Sequence, residues 1–269
     1  MKLFDSQIHL WANAESAARM MQTFVALEDI LAEMDSVGVE RAYLVPGHTA
    51  ANALCVEAAV HWPDRFRALA LLALDKPESR SVMANWSSSG FIGVRLTFPP
   101  YRAVSWLDDG TADWFWPIAD RLGLPVMVWA PLRAATIGAL ARRFPRIRFI
   151  VDHINLHVLD KGDAVSAAVE AVLALASEPN VAVKVSSLPA HSDAPYPYRD
   201  MHGHVRSVVD AFGADRAMWG TDLTSRSCSY AQAIDMFIKE MPFLSEAQLE
   251  SVMGGTATLW MGWQRSTQP

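Results

Sequence analysis

The sequence predicts an α/β fold, a single-domain (β/α)8 TIM barrel spanning 1–269, on three observations. Eight short apolar segments recur along the chain, their starts at 3, 41, 66, 91, 125, 148, 181 and 217 separated by 23 to 38 residues. A right-handed βαβ unit takes about 30 residues. Stretches with helical spacing lie between most of them, and no long Gly/Ser linker interrupts the series. A doubly wound sheet would more often carry a Gly-rich turn after its first strand, and SQIHLWANAE has none.

The strand segments are LFDSQIHL (3–10), RAYLVPG (41–47), FRALALLAL (66–74), FIGVRLTF (91–98), PVMVWAP (125–131), RFIVDHI (148–154), VAVKVSSL (181–188) and AMWGTDL (217–223). Each is short, rich in β-branched or aromatic residues, and bounded by turn formers. Their continuous apolar character suits strands covered on both faces. Between them, LEDILAEMDSVG (27–38) sets Leu27, Ile30, Leu31 and Met34 on one face and stops at Gly38. ATIGALARRFP (135–145), AVSAAVEAVLALASEP (164–179) and MHGHVRSVVDAFG (201–213) repeat the plan. LSEAQLESVMGGTATLWMGW (244–263) reads as two helical pieces broken at Gly254-Gly255.

Bulk properties narrow the function classes. A chain of 269 residues, 51% hydrophobic, can bury one sizeable core. A net charge of −6 argues against nucleic-acid and anionic-membrane partners, which call for a basic face. Cys55 and Cys228 form no CxxC pair, so neither a disulfide scaffold nor a cysteine zinc site is expected. MKLFDSQIHLW lacks the apolar core of a signal peptide, and no apolar run reaches the ~18 residues of a membrane span. A cytoplasmic protein is expected; its oligomeric state stays open, a homo-oligomer included.

In such a barrel, chemistry sits at the C-terminal ends of the strands. Those ends carry Gln7 and His9, His48 just past strand two, Arg95 and Thr97, Trp129, His153 and Asn155, Lys184, Ser186 and Ser187, and Asp222. Charged groups within apolar strands are costly if buried unpaired, and stable if they converge on a polar cavity. Taken singly, a strand histidine is more often a hydrogen-bonded core residue, and Lys184 could be an edge-strand charge. The set is harder to dismiss.

DSQIHLW, GVRLTF, FIVDHINL, VAVKVSSL and MWGTDL, in that order, resemble the amidohydrolase superfamily. More narrowly they resemble its amidohydrolase-2 branch, which includes sugar lactonases, 2-pyrone-4,6-dicarboxylate hydrolase and metal-dependent decarboxylases. The resemblance runs from residue 3 to about 262, where VMGGTATLWMGW is similar to the branch's closing helix. It implies a metal-ligand set of HxH on strand one, a histidine on strand five and an aspartate on strand eight. This chain departs from it: Gln7 makes the pair QxH, and Trp129 stands at the strand-five position. Glutamine is a poor ligand, tryptophan none, and a catalytic zinc keeps three protein ligands plus water. His9 and Asp222 alone are too few, unless His153 joins them. A site without metal is therefore favoured, for which the 2-pyrone-4,6-dicarboxylate hydrolase branch is a precedent.

Without metal, Asp222 is the natural general base, with His9 or His153 to orient it or relay the proton. Arg95, Lys184 and His153 are candidates to meet charge on a carbonyl oxygen. Gln7, His48, Trp129, Lys184 and Arg95 are expected to bind substrate. Arg102, Arg133, Arg199 and Arg226 on the following loops add positive charge, pointing to an anionic small molecule, although surface placement explains each equally well. Trp11, Trp86, Trp106, Trp114 and Trp116 are read chiefly as packing. His157, His202 and His204 are given no role.

The leading expectation is a hydrolase of a carboxylate-bearing lactone or activated cyclic ester. One alternative is a zinc- or manganese-dependent amidohydrolase or decarboxylase using His9, His153 and Asp222 as ligands. Another is a non-catalytic barrel that binds a carboxylate. Substrate identity resides in loops such as 98–113 and the proline-rich 188–200, the latter long enough to form a rim or lid.

Overall fold

Alternation of apolar segments with amphipathic ones builds the expected barrel. The computed structural model describes residues 1–19, 22–100, 105–225 and 228–263. The strands are β1 (Leu3–Leu10), β2 (Val39–Pro46), β3 (Phe66–Leu71), β4 (Phe91–Thr97), β5 (Pro125–Trp129), β6 (Arg148–Val151), β7 (Val181–Ser186) and β8 (Ala217–Gly220). Seven parallel ladders join them in chain order. The principal helices are α1 (Ala14–Ala18), α2 (Leu27–Val37), α3 (Asn52–His61), α4 (Pro77–Ala84), α5 (Phe115–Leu122), α6 (Ala134–Arg143), α7 (Asp163–Leu173), α8 (Leu188–His191), α9 (Arg199–Phe212), α10 (Tyr230–Ile238), α11 (Glu246–Glu250) and α12 (Thr256–Met261). Each expected strand is present. Several end earlier than the apolar run because the chain turns into the mouth there. Among the described residues, no helix is long and apolar enough to cross a membrane.

Period-2 alternation sorts side chains between two cores. Outward residues meet the helices. Inward ones, Phe4, Tyr43, Leu69, Met127, Ile150, Ala182 and Met218, fill the lower barrel against Ala257, Trp260 and Trp263 at its base. The two-piece reading of 244–263 is modified: a π-helical turn over Ser251–Gly255 joins α11 to α12 without a break. Gly254 permits this because a Cβ there would stand 2.6 Å from the Lys2 carbonyl oxygen, so the turn seats directly on the start of β1.

Asp5 governs closure between β8 and β1. Its fully buried carboxylate accepts from the Gln7 and Thr221 amides, each at 3.0 Å, from the Thr221 hydroxyl, and from Tyr230 Oη at 2.7 Å. The Asp222 amide then donates to the Gln7 carbonyl at 3.1 Å. Gly220 allows the approach, since a Cβ there would meet Ser6 Oγ at 2.7 Å. Burial pushes the Asp5 carboxyl pKa up, against the pull of these donors. Asp5→Ala strands several buried donors at about 1–3 kcal/mol each. It is expected to lower unfolding stability by at least about 3 kcal/mol in urea titrations. A loss below about 1 kcal/mol would show that the seam does not need this carboxylate.

Candidate active site at the barrel mouth

The same alternation that fills the floor sets a polar layer above it. On β7, Ala182 belongs to the apolar interior, and Lys184 and Ser186 follow at two-residue steps. Lys184 is fully buried. Its Nζ lies 3.1 Å from Asp152 Oδ1, donates to Gln7 Oε1 at 2.8 Å and touches Met127 Sδ at 2.9 Å. Asp152 Oδ2 accepts from Arg95 Nε at 3.0 Å. Burial alone would raise the Asp152 carboxyl, but Lys184 and Arg95 outweigh it and hold the pKa below the usual carboxylate range. A dry ammonium is tolerable here because a carboxylate and an amide oxygen receive it.

Lysine nitrogen has only donors to offer in this contact, so Gln7 must turn its oxygen to Lys184 and its NH2 the other way. Gln7 Nε2 lies 3.2 Å from His9 Nε2 and 3.0 Å from His153 Nε2. His9 Nδ1 is 3.0 Å from the Val45 carbonyl oxygen, an obligate acceptor, so that nitrogen carries the proton. His153 Nδ1 meets Ser186 Oγ at 2.9 Å. The Ser186 hydroxyl can donate or accept, so for His153 it is the Gln7 NH2 group, which can only donate, that calls for an accepting Nε2.

Asp222 stands across from them. Its Oδ2 accepts from the Ser187 hydroxyl at 3.2 Å and from the Ser225 hydroxyl. Its Oδ1 lies 3.2 Å from His9 Nε2, and it accepts no hydrogen bond among the described residues. Burial would raise this carboxyl. The surrounding groups prevail, His153 first, then His9 and Ser225, and hold its pKa far below the ordinary value. His153 itself is pushed down to about 4, chiefly by burial, with Asp222 and Asp152 opposing and Arg95 and Lys184 assisting.

Backbone strain aims these groups. His153, Ile154 and Asn155 occupy the left-handed region in succession at φ 54°, 51° and 57°, as do Ser187 at 60° and Asp222 at 56°. Such conformations persist only where surroundings over-determine them. Asn155 supplies that constraint for β6: it accepts from the Ala130 amide at 2.9 Å and donates to the Ala130 carbonyl at 2.8 Å.

Above this network opens a cavity of about 510 Å³, lined in part by His9, Arg95, Trp129, His153, Ser187 and Asp222. Trp11 and Trp129 give it flat apolar walls; Trp129 Nε1 is anchored on the Leu156 carbonyl at 2.8 Å. Among the described residues, Arg95 Nη1 and Nη2 meet no acceptor, leaving a guanidinium edge at the cavity. Gln7 and Lys184 lie beneath the mouth.

His48 is not brought to the mouth. It is exposed, and its Nδ1 accepts from the Ala50 amide at 3.3 Å. Arg133 pairs with Asp108 at 2.7 Å and Arg199 with Glu240 at 3.0 Å. Arg102, Arg226 and part of the 98–113 loop lie outside the described residues. The 188–200 segment forms a wall through Ala190 and His191. Reasoning from sequence missed Asp152, although a carboxylate in the apolar run FIVDH is the counter-ion that two buried cations demand. It also missed Ser225 and His191, which carry no local signal.

A single divalent metal is the cofactor to test. His9 Nε2, His153 Nε2 and Asp222 face one region, and their Nδ1 tethers resemble those of metal-bound histidines. The donor set nevertheless does not fit. His153 Nε2 is 3.9 Å from Asp222 Oδ2, and the Gln7 amide nitrogen, which has no lone pair to give, stands against both imidazoles. Among the described residues, no group of three His, Cys, Asp or Glu side chains is placed to hold an ion.

Comparison with known proteins agrees with this architecture. A family model described as Amidohydrolase matches residues 4–260. The chain is 31% identical over 173 residues to an L-fucono-1,5-lactonase of Burkholderia ambifaria, a match spanning 62% of this chain and 55% of that protein. A crystal structure of an amidohydrolase from Burkholderia multivorans with bound zinc superposes with TM-score 0.82 at 20% identity, covering 97% of this chain and 99% of that one. A putative 2-pyrone-4,6-dicarboxylic acid hydrolase from Pseudomonas putida gives 0.77 at 20% identity, with 98% and 99% covered.

The pH dependence tests the network. His153 holds fewer protons folded than unfolded between its ordinary pKa of about 6.5 and about 4, so stability is complete above that window and falls as pH drops through it. Activity is expected to stay level down to about pH 5 and to fall near pH 4, as the imidazolium forms beside Asp222. An acid limb near 6.5 would mean an ordinary, solvated imidazole.

Proposed function

The chain belongs to the amidohydrolase family, and we propose that it hydrolyses a carboxylate-bearing lactone or similarly activated cyclic ester, with Asp222 as general base and no metal. The observation that carries this reading is Asp222 Oδ1, which accepts no hydrogen bond among the described residues, lies 3.2 Å from His9 Nε2 and belongs to a residue that lines the same cavity as Arg95. Its partner oxygen is occupied by the Ser187 and Ser225 hydroxyls, which fixes the carboxylate and leaves Oδ1 without a hydrogen bond among the described residues.

In the proposed sequence Oδ1 takes a proton as the water oxygen adds to the lactone carbonyl carbon, and the carbonyl electrons move onto oxygen. Arg95 supplies positive charge for the substrate carboxylate and the developing oxyanion. The tetrahedral intermediate collapses with cleavage of the ring C–O bond. The proton, held by Asp222 or passed to His9 Nε2, goes to the departing alkoxide, giving a hydroxy acid. A carboxylate base suits an ester with a good leaving group better than an amide. Trp11 and Trp129 favour a flat ring between them. The L-fucono-1,5-lactonase relative supports a lactone as the substrate class, and a soluble anionic small molecule is the expected partner.

The zinc-bound fold neighbour keeps a metal-dependent alternative testable, but the donor set at Gln7 disfavours it. A purely binding barrel gains no support from a fixed carboxylate with one open oxygen.

A lactone and ester panel with and without chelator tests the reaction class, with equal rates expected in both arms. Asp222→Asn should lower kcat by about 10²–10⁴-fold in a variant that still folds, as circular dichroism checks. Near-wild-type turnover in that variant would remove Asp222 from the mechanism. Arg95→Gln is expected to raise KM by about tenfold or more for carboxylate-bearing lactones and little for neutral ones. Equal effects on both would detach Arg95 from anion recognition.

A further inference from the structure

We infer that Gln7 and Lys184 form an internal substitute for a divalent cation, a lock that sets N–H groups against both mouth imidazoles, holds His153 in the tautomer that Val45 imposes on His9, and excludes metal. The inference rests on reading the mouth as a site that works without metal; it does not depend on which substrate enters. His9 Nε2 and Asp222 Oδ1 are 3.2 Å apart, close to the edge of a zinc tetrahedron, about 3.3 Å for bonds of about 2.0–2.1 Å. Nδ1 of each ring is tied outward, to the Val45 carbonyl and to Ser186 Oγ, so each Nε2 points inward. What stands against both of these nitrogens is the Gln7 NH2 group, at 3.2 and 3.0 Å.

The amide cannot turn over to offer its oxygen. Doing so would set Nε2 against Lys184 Nζ, donor to donor, at a separation that is now 2.8 Å. Lys184 cannot withdraw, because it is fully buried and paired with Asp152 on the far side. Asp152 is in turn bound to Arg95. The chain Arg95–Asp152–Lys184–Gln7 therefore fixes which end of one amide faces two histidines. Positive charge from Lys184 reaches them as two oriented N–H groups in place of a metal. Gln7 and Lys184 are positioning residues in this account: neither is among the groups lining the cavity.

Zinc alone is the probe. Purified wild-type protein, Gln7→Glu and Gln7→His are dialysed against graded zinc, assayed for bound metal, and checked by competition with a chromophoric chelator. Gln7→Glu keeps an acceptor for Lys184 and offers a ligand oxygen to the centre; Gln7→His offers an imidazole. Wild type is expected to hold no stoichiometric zinc, and at least one folded variant to bind one equivalent at least about tenfold more tightly. Adding Asp222→Asn to that variant should weaken its zinc binding again. One tightly held equivalent in wild-type protein, or folded variants that bind no better than wild type, would overturn the lock. Because the readout is bound metal, failure here is separable from failure of the lactone assignment, which the substrate panel tests.

Discussion

A fully buried ammonium, Lys184, is the constraint on which the mouth depends. A charge in the interior of a barrel must be compensated at short range, since water is excluded and the effective dielectric is low. Asp152 provides the counter-charge, and Gln7 the second acceptor. Asp152 is shared with Arg95, so two cations and one carboxylate form a bent chain beneath the cavity. Asp222 supplies a second carboxylate, whose ion-pair contacts among the described residues are with His9 and His153 and not with Lys184 or Arg95. That difference matters. A carboxylate paired directly with lysine or arginine would have its oxygens occupied, whereas Asp222 retains one that no described residue claims.

Geometry at the mouth also depends on how the barrel closes. Asp5 replaces part of the ladder between the last and first strands, and the Asp222 amide reaches back to the Gln7 carbonyl. The Asp222 carboxylate and the Gln7 amide are therefore set by one seam. The left-handed backbone at His153, Ser187 and Asp222 is the local cost of turning side chains inward from strand ends. The Asn155–Ala130 pair and the Asp5 seam hold that backbone in place from either side.

Much of this was legible in the sequence, because period-2 alternation and turn signals are local. All eight strands were readable, as were His9, Arg95, Lys184 and Asp222, since charged groups in apolar strands announce themselves. Gly38 ends its helix as read, in the left-handed conformation at φ 76°. What escaped is relational. Gln7 reads as a lost ligand, but its role follows from which end of the amide meets Lys184, a contact across 177 residues. Asp5 looks like any polar residue in a strand until Thr221 and Tyr230 are placed around it. His48 sits after a strand as a site residue should, yet the chain turns there and leaves the ring exposed as a cap. Gly254-Gly255 suggests a break, and close packing on β1 uses the pair as a turn instead.

The central claim is that one buried lysine, acting through one glutamine, sets N–H groups against His9 and His153, so that both rings accept at Nε2. Nitrogen-15 NMR of the imidazoles in the resting protein at neutral pH tests this directly. The account predicts Nδ1–H tautomers for both rings in wild-type protein, with His153, whose Nδ1 meets only a hydroxyl, losing that signature when Gln7 is replaced by Leu while His9 keeps it through the Val45 carbonyl. Rings found protonated on Nε2 in wild-type protein, or a His153 signal unchanged by the Gln7 substitution, would contradict it.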